Sequence, residues 1–149
     1  RIDASLGLLD ATYDSYSTPD PLNPGAGSVS LAGNRLPGSS KYTARIGAQY
    51  DVPMGDKGKV SLSGDVMFSG DMYFDPYEHK AAYQPSYEIY NASLTYDSGR
   101  WWSFSIWGRN LANKTIISNQ LISADFWGFP RLTYLRDPRT YGATIKANF

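Results

Sequence analysis

The last segment of the chain, residues 139–149, most constrains the fold. Apolar side chains at Tyr141, Ala143, Ile145 and later positions alternate with small or polar residues. A period of two is typical of a β-strand with one apolar and one polar face. No apolar run approaches the ~20 residues of a membrane-spanning helix. The same alternation recurs in five earlier segments, residues 2–13, 41–52, 59–69, 87–97 and 101–117. The pattern predicts an all-β fold, an antiparallel meander of about six long strands.

The connections between these segments alternate in length. Residues 13–41, 70–86 and 118–138 form long connections, whereas residues 53–58 and 98–100 form tight turns. A soluble sandwich has no reason to place every long loop at one end. Outer-membrane barrels have short periplasmic turns and long extracellular loops. The asymmetry predicts a section of a transmembrane β-barrel with its long loops outside.

Aromatic residues bracket the apolar faces of the strands. Tyr42 and Tyr50 lie eight positions apart on one face, as do Tyr141 and Phe149. Eight residues span roughly 26 Å of strand, or about 20 Å of height at a tilt of about 40°. That height is close to the ~25 Å apolar band between the aromatic girdles of a barrel. The spacing supports a barrel wall.

Composition excludes several classes of function. Fourteen basic residues balance fourteen acidic ones, so no bulk field attracts nucleic acid, and no nucleic-acid partner is predicted. Cysteine is absent, which excludes disulfides and cysteine zinc sites. With one histidine, no phosphate-binding loop and no nucleophile motif, we expect no enzyme, no catalytic residues and no cofactor.

Three stretches in sequence order resemble one family. Residues 107–114 (WGRNLANK) resemble an "N-L-x-[ND]-[KR]" phrase, and residues 138–142 (PRTYG) resemble a "P-R-x-[YF]-G" lead-in to the final strand. Residues 35–44 (RLPGSSKYTA) resemble an "L-P-x-[AS]-P" strand opening, with Ser40 where proline is usual. The three together resemble the C-terminal end of a TonB-dependent outer-membrane receptor.

The resemblance implies an architecture and a function. Such receptors are 22-stranded barrels with an N-terminal plug, and residues 1–149 are expected to supply the C-terminal β-barrel segment without the plug or earlier strands. They take up scarce nutrients, most often ferric siderophores, across the outer membrane of Gram-negative bacteria. The implied partners are membrane lipid, the plug and remaining strands, the TonB complex and the nutrient. A soluble all-β carbohydrate-binding module and a non-TonB porin are the alternatives.

The long loops hold the candidate ligand-binding residues. Exposed rings on loops can cap an apolar ligand, and arginine can bind an anionic chelate. Acidic residues near His79 match no known metal-ligand spacing, so no metal site is predicted. The candidates are Tyr73, Tyr77 and His79 in the second long loop, and Phe126, Trp127, Arg131 and Arg136 in the third.

The terminal segment has a second predicted role. Its alternation through Tyr141 and Ile145 to Phe149 resembles the C-terminal signal that the barrel-assembly machinery recognises. Addition of a strand to an exposed sheet edge is the physical mode expected for that recognition. The alternative is a plain lipid-facing strand.

Overall fold

A computed structural model describes residues 1–122 and 130–148. Within them, six long antiparallel strands form one sheet in the order β1-β4-β5-β8-β9-β12, which confirms the predicted meander. Three two-stranded hairpins (β2-β3, β6-β7 and β10-β11) occupy the long loops. The strands are β1 Ile2–Leu8, β2 Ser17–Pro19, β3 Ser28–Ser30, β4 Tyr42–Pro53, β5 Lys59–Ser69, β6 Met72–Tyr73, β7 Tyr83–Gln84, β8 Tyr87–Asp97, β9 Trp102–Arg109, β10 Ile117–Ile122, β11 Arg131–Leu135 and β12 Thr140–Ala147.

The register keeps like residues on one face across the whole sheet. Ile46 of β4 pairs with Val66 of β5, which pairs with Tyr90 of β8. On the opposite face, Asp65 of β5 pairs with Asn91 of β8. We call these the apolar face and the polar face. Because side chains alternate with a period of two, one slipped residue would exchange the faces, and the alternation therefore specifies the register.

The apolar face is uncovered in the described part of the chain. Ile2, Leu6 and Ile145 are 80%, 67% and 75% exposed. The buried apolar residues lie instead in the long loops or where β8 begins, at Leu31, Ala82, Tyr87 and Ile116. A soluble sandwich would cover this face with a second sheet. A single layer with an uncovered apolar face is the arrangement of a barrel wall, and the barrel is not closed here.

The two ends of the sheet differ as predicted. Residues 54–58 and 98–101 make tight connections at what we call the turn end. At the opposite loop end lie loop 1 (residues 9–41), loop 2 (residues 70–86) and loop 3 (residues 110–139). The described residues include short 3-10 turns at Pro24–Ala26, Gly55–Lys57 and Lys80–Ala82, and none of their helices is long and apolar enough to cross a membrane.

Two strands are shorter than the sequence predicts. The first ends at Leu8 rather than at residue 13. The fifth ends at Arg109 rather than near residue 117, because Asn110 and Asn113 have φ values of 49° and 52°. Left-handed residues break a strand, and Asn tolerates that conformation better than most residues. Ile117 instead begins β10, in a separate hairpin with β11.

Candidate ligand-binding site

A chain of polar contacts crosses the polar face of the sheet. Arg45 bridges two carboxylates, with its guanidinium nitrogens 2.8 Å from Asp3 and 3.2 Å from Asp65. The amide of Asn91 donates to Asp65 at 2.9 Å, and the backbone N–H of Asn110 donates to Asn91 at 3.1 Å. Arg45 and Asp65 occupy polar positions in the alternation of residues 41–52 and 59–69, and the structure brings them together. Because these ion pairs are solvent-exposed, they fix side-chain positions more than they stabilise the fold.

Other polar-face residues lie nearby. Arg109 stacks on Trp107, with its guanidinium carbon 5.1 Å from the ring centroid. Both line a polar cavity of about 410 Å³, together with Arg45, Asp65 and Asn91. Lys146 occupies the same face of β12, where it pairs with Ser103 of β9. All these charged residues therefore lie on the polar face of the sheet.

Toward the loop end, the polar face becomes apolar. Met67 of β5 pairs directly with Ile89 of β8, at positions where the preceding pairs are Asp65 with Asn91 and Ser63 with Ser93. Next to them, Tyr87 is buried. These residues open into a cavity of about 650 Å³ beneath loops 1 and 2, which we call the mouth cavity. Its lining includes Arg45, Met67, Met72, Phe74, Ile89 and Arg136.

Arg35 joins loop 1 to loop 2. Its guanidinium lies 3.0 Å from Asp71 and 3.4 Å from Glu78, and its backbone N–H donates to Glu78 at 3.0 Å. The guanidinium carbon also lies 4.9 Å from the ring centroid of Tyr73. Burial lowers the pKa of Arg35, but the hydrogen bonds and charges of the two carboxylates outweigh burial and raise the pKa overall. Arg35 is therefore a permanent cation between the loops.

His79 and Tyr77 form a second joint between the same loops. The two ring nitrogens of His79 each lie 3.2 Å from a carboxylate oxygen, Nδ1 from Asp75 and Nε2 from Asp20. The hydroxyl of Tyr77 donates to the carbonyl of Pro19 at 2.7 Å. Thus Tyr73, Tyr77 and His79, which the sequence predicts to bind ligand, all contact neighbouring loop residues. Ligand binding by these three residues stays a prediction.

Loop 3 contributes to the same region. Arg136 stacks above Tyr87, with its guanidinium carbon 5.8 Å from the ring centroid, and lines the mouth cavity. Arg131 donates to the carbonyl of Ala81 in loop 2 at 3.5 Å. Of the predicted ligand-binding residues, Arg136 lies at the cavity and Arg131 contacts loop 2. Phe126 and Trp127 lie outside the described residues.

Met67 and Ile89 are residues of the cavity that the sequence pattern did not single out. The signal that could have found them was an apolar residue at the polar positions of two neighbouring segments, both at the loop end. Within the described ranges, no group of three or more His, Asp or Glu side chains is placed to hold a metal ion.

The terminal strand presents its apolar residues outward. Tyr141 and Ile145 are 67% and 75% exposed on the apolar face, and they pair with Gly108 and Phe104 of β9. The predicted pairing of the terminal strand with the fifth strand is confirmed. Phe149 lies outside the described residues, and the assembly signal of Tyr141, Ile145 and Phe149 stays a prediction.

The one-layer sheet, with its uncovered apolar face, its charged polar face and its loops at one end, defines a wall section of a transmembrane β-barrel. The chain belongs to the TonB-dependent receptor-like β-barrel family, whose model matches residues 2–111. This match supersedes the carbohydrate-binding module and the porin that the sequence left open.

A solved structure has the same fold. The ferric yersiniabactin uptake receptor FyuA from Yersinia pestis matches with a TM-score of 0.70 and 19% identity, over 80% of this chain and 18% of that receptor. At this identity the likeness shows the fold alone, and the chain spans under a fifth of the receptor's length. Comparison with curated proteins finds no match.

Removing Arg35 should loosen loops 1 and 2. Its side chain is only 14% exposed and pairs with two carboxylates. A hydrogen bond to a charged group contributes about 1.5–3 kcal/mol. We expect Arg35→Ala to speed proteolytic cleavage of both loops in the full-length protein about tenfold or more, with Arg35→Lys intermediate. Arg100→Ala, which removes the same charge at the turn end, is the control. Equal cleavage rates in the two alanine variants would contradict this role.

Proposed function

We propose that the chain is the C-terminal β-barrel segment of an outer-membrane receptor that takes up a ferric siderophore. The observation that best supports this proposal is the mouth cavity, which lies at the loop end of a barrel wall of the TonB-dependent receptor family. Its volume of about 650 Å³ lies within the usual ~300–1,000 Å³ of small-molecule sites. The structurally similar FyuA is a ferric yersiniabactin uptake receptor, which adds support for an iron chelate as the ligand.

The chemistry of the cavity suits such a ligand. Met67, Met72, Phe74 and Ile89 supply an apolar wall, and thioethers adapt their shape to flat or irregular ligands. Arg136 supplies a cation at the rim, where it can pair with a carboxylate or phenolate of a chelate. Because Arg45 already bridges two carboxylates, Arg136 is the better candidate for an anionic group.

The remaining partners follow from this proposal. The receptor resides in the outer membrane of a Gram-negative bacterium, where lipid covers the apolar face. The plug and the other strands of the barrel meet the polar face and the sheet edges. The TonB complex supplies the energy through the plug, and the barrel-assembly machinery inserts the protein. In this role the segment is a transporter wall, with no enzymatic activity, no cofactor and no nucleic-acid partner.

The proposal is tested by titrating the purified full-length receptor with a panel of ferric chelates, ferric yersiniabactin included, and following tryptophan fluorescence. Met67→Asp places a charge in the apolar wall and should weaken binding at least about tenfold. Met67→Leu and Ser103→Asp are the controls, because the first keeps an apolar side chain and the second adds an acid beside Lys146 at the turn end. Both should bind as the native receptor does.

Arg136→Gln measures the contribution of the positive charge to affinity separately from that of the apolar wall. Affinity for anionic chelates should fall about tenfold, whereas affinity for neutral chelates should change little. If no chelate of the panel binds the native receptor, the proposed function is wrong. If chelates bind but Met67→Asp leaves every affinity unchanged, the function stands and the mouth cavity is not the site.

A further inference from the structure

We propose that His79, Asp20 and Asp75 form a latch that fastens loop 1 to loop 2 more strongly in acid. Asp20 belongs to loop 1, whereas Asp75 and His79 belong to loop 2. The imidazole lies between the two carboxylates, and each ring nitrogen is 3.2 Å from one of them. All three side chains are largely shielded, with 23% of the imidazole and 13% of each carboxylate exposed.

Each carboxylate is oriented by its own loop. In loop 2, Oδ1 of Asp75 accepts the backbone N–H groups of Tyr77 at 2.8 Å and of His79 at 3.2 Å, which leaves Oδ2 for the imidazole. In loop 1, Oδ1 of Asp20 accepts the backbone N–H of Leu22 at 2.9 Å, and Oδ2 again meets the imidazole. Both carboxylates therefore aim at His79 the oxygen that does not accept a backbone N–H of their own loop.

The protonation state of His79 determines how many of these contacts are hydrogen bonds. A protonated imidazole donates from both ring nitrogens, so it can bind both loops at once. A neutral imidazole has one donor, and its other nitrogen is an acceptor that faces a carboxylate oxygen. One of the two contacts is then lost, and two lone pairs oppose each other. Histidine as a residue type changes charge between about pH 5 and 8, the range in which the proposal is tested.

Negative charges outnumber positive ones around the latch. Besides Asp20 and Asp75, loop 2 contributes the carboxylates of Asp71 and Glu78, which pair with Arg35 in the neighbouring joint. Tyr77 packs its ring 5.3 Å from the imidazole, and the exposed Lys80 follows in sequence. The two joints together hold four carboxylates and one guanidinium, and Lys80 adds one exposed ammonium next in sequence. A protonated His79 adds a third cation and reduces the excess of negative charge.

The latch restrains one wall of the mouth cavity through loop 2. Met72 and Phe74 line the cavity, and Asp75 follows them directly. Fastening Asp75 and His79 to loop 1 therefore holds the segment that covers the cavity. The latch requires no bound ligand, so it stands or falls independently of the transported nutrient.

The test is hydrogen–deuterium exchange of the full-length receptor in detergent at pH 5.5 and 8.0, corrected for intrinsic exchange rates. Peptides from residues 17–30 of loop 1 should be about tenfold better protected at pH 5.5 in the native receptor. His79→Gln should abolish this pH dependence. Asp20→Asn should do the same while keeping the oxygen that accepts from Leu22. Asp14→Asn, the same change at an exposed position of loop 1, should retain the native pH dependence.

Each other outcome overturns the latch. A native receptor with equal protection at the two pH values has no acid-strengthened joint. A pH dependence that persists in either His79→Gln or Asp20→Asn arises elsewhere in the receptor. Because Asp20→Asn leaves His79 in place, it decides the question even if the histidine variant fails to fold.

Discussion

Gly58→Ala should be among the most damaging single-methyl substitutions in the chain, costing about 3 kcal/mol of stability. Gly58 ends the tight turn between β4 and β5, with φ 94° and ψ −141°, a conformation that is essentially restricted to glycine. A Cβ there would overlap the carbonyl oxygen of Asp97 and lie 2.7 Å from the carbonyl carbon of Ser98. Both obstacles are backbone atoms of the neighbouring turn, so no side chain can rotate away.

Gly55→Ala, in the same turn, is the matched control. Gly55 also has a positive φ, 60°, but a Cβ there meets nothing within 4 Å. Its replacement should cost only the strain of a left-handed alanine, about 1–2 kcal/mol. The measurement is the temperature at which the refolded full-length receptor loses its compact, heat-modifiable form on gels. If this temperature falls by a similar amount in the two variants, the strain of the turn determines the loss of stability, and the contact between neighbouring turns does not.

The long strands of the sheet were predictable because their signal is local. Alternation assigns each residue of β5 or β8 to a face, and the tight turns then leave one antiparallel register. Even the polar-face contact between Arg45 and Asp65 follows, since both lie on the same face of neighbouring strands. No long-range information is needed for the two strand pairs that tight turns join, β4 with β5 and β8 with β9.

The loop end was not predictable in the same way. The joints of Arg35 with Asp71 and of His79 with Asp20 link residues 36 and 59 positions apart, and nothing in the local pattern pairs them. The mouth cavity likewise forms only where loop 2 folds over Met67. Aromatic and histidine residues that the sequence offers as ligand contacts therefore hold the loops to each other.

The motif at residues 107–114, which resembles the family pattern, has a structural role that its sequence does not reveal. Asn110 is only 5% exposed, and its side-chain amide ties separate stretches of backbone together. Its Nδ2 donates to the carbonyls of Lys114 at 2.9 Å and Asp137 at 3.2 Å, while its Oδ1 accepts the N–H of Lys114 at 2.9 Å. The residue thus closes the turn after β9 and fastens it to the approach to β12.

Asn110→Asp should accordingly cost about 3 kcal/mol or more, although it replaces only the amide nitrogen by an oxygen. The aspartate keeps the acceptor for Lys114 but loses both donated hydrogen bonds, and it sets a buried negative charge against two carbonyl oxygens. Asn110→Ala should cost about as much, because it leaves buried backbone groups unsatisfied and adopts a φ of 49°. Both losses of stability should appear as a lower temperature at which the compact form is lost in the heat-modifiability assay.

Asn113→Asp makes the same chemical change three residues later and should be nearly neutral. Asn113 also has a positive φ, 52°, but it is exposed, and its Oδ1 accepts the backbone N–H of Arg139 at 3.1 Å. An aspartate preserves that acceptor and gains a nearby cation in Arg139. If the two aspartate variants are equally stable, the phrase serves the turn conformation alone. If only Asn110→Asp fails, the buried donor of Asn110 is what fastens the turn after β9 to the approach to β12.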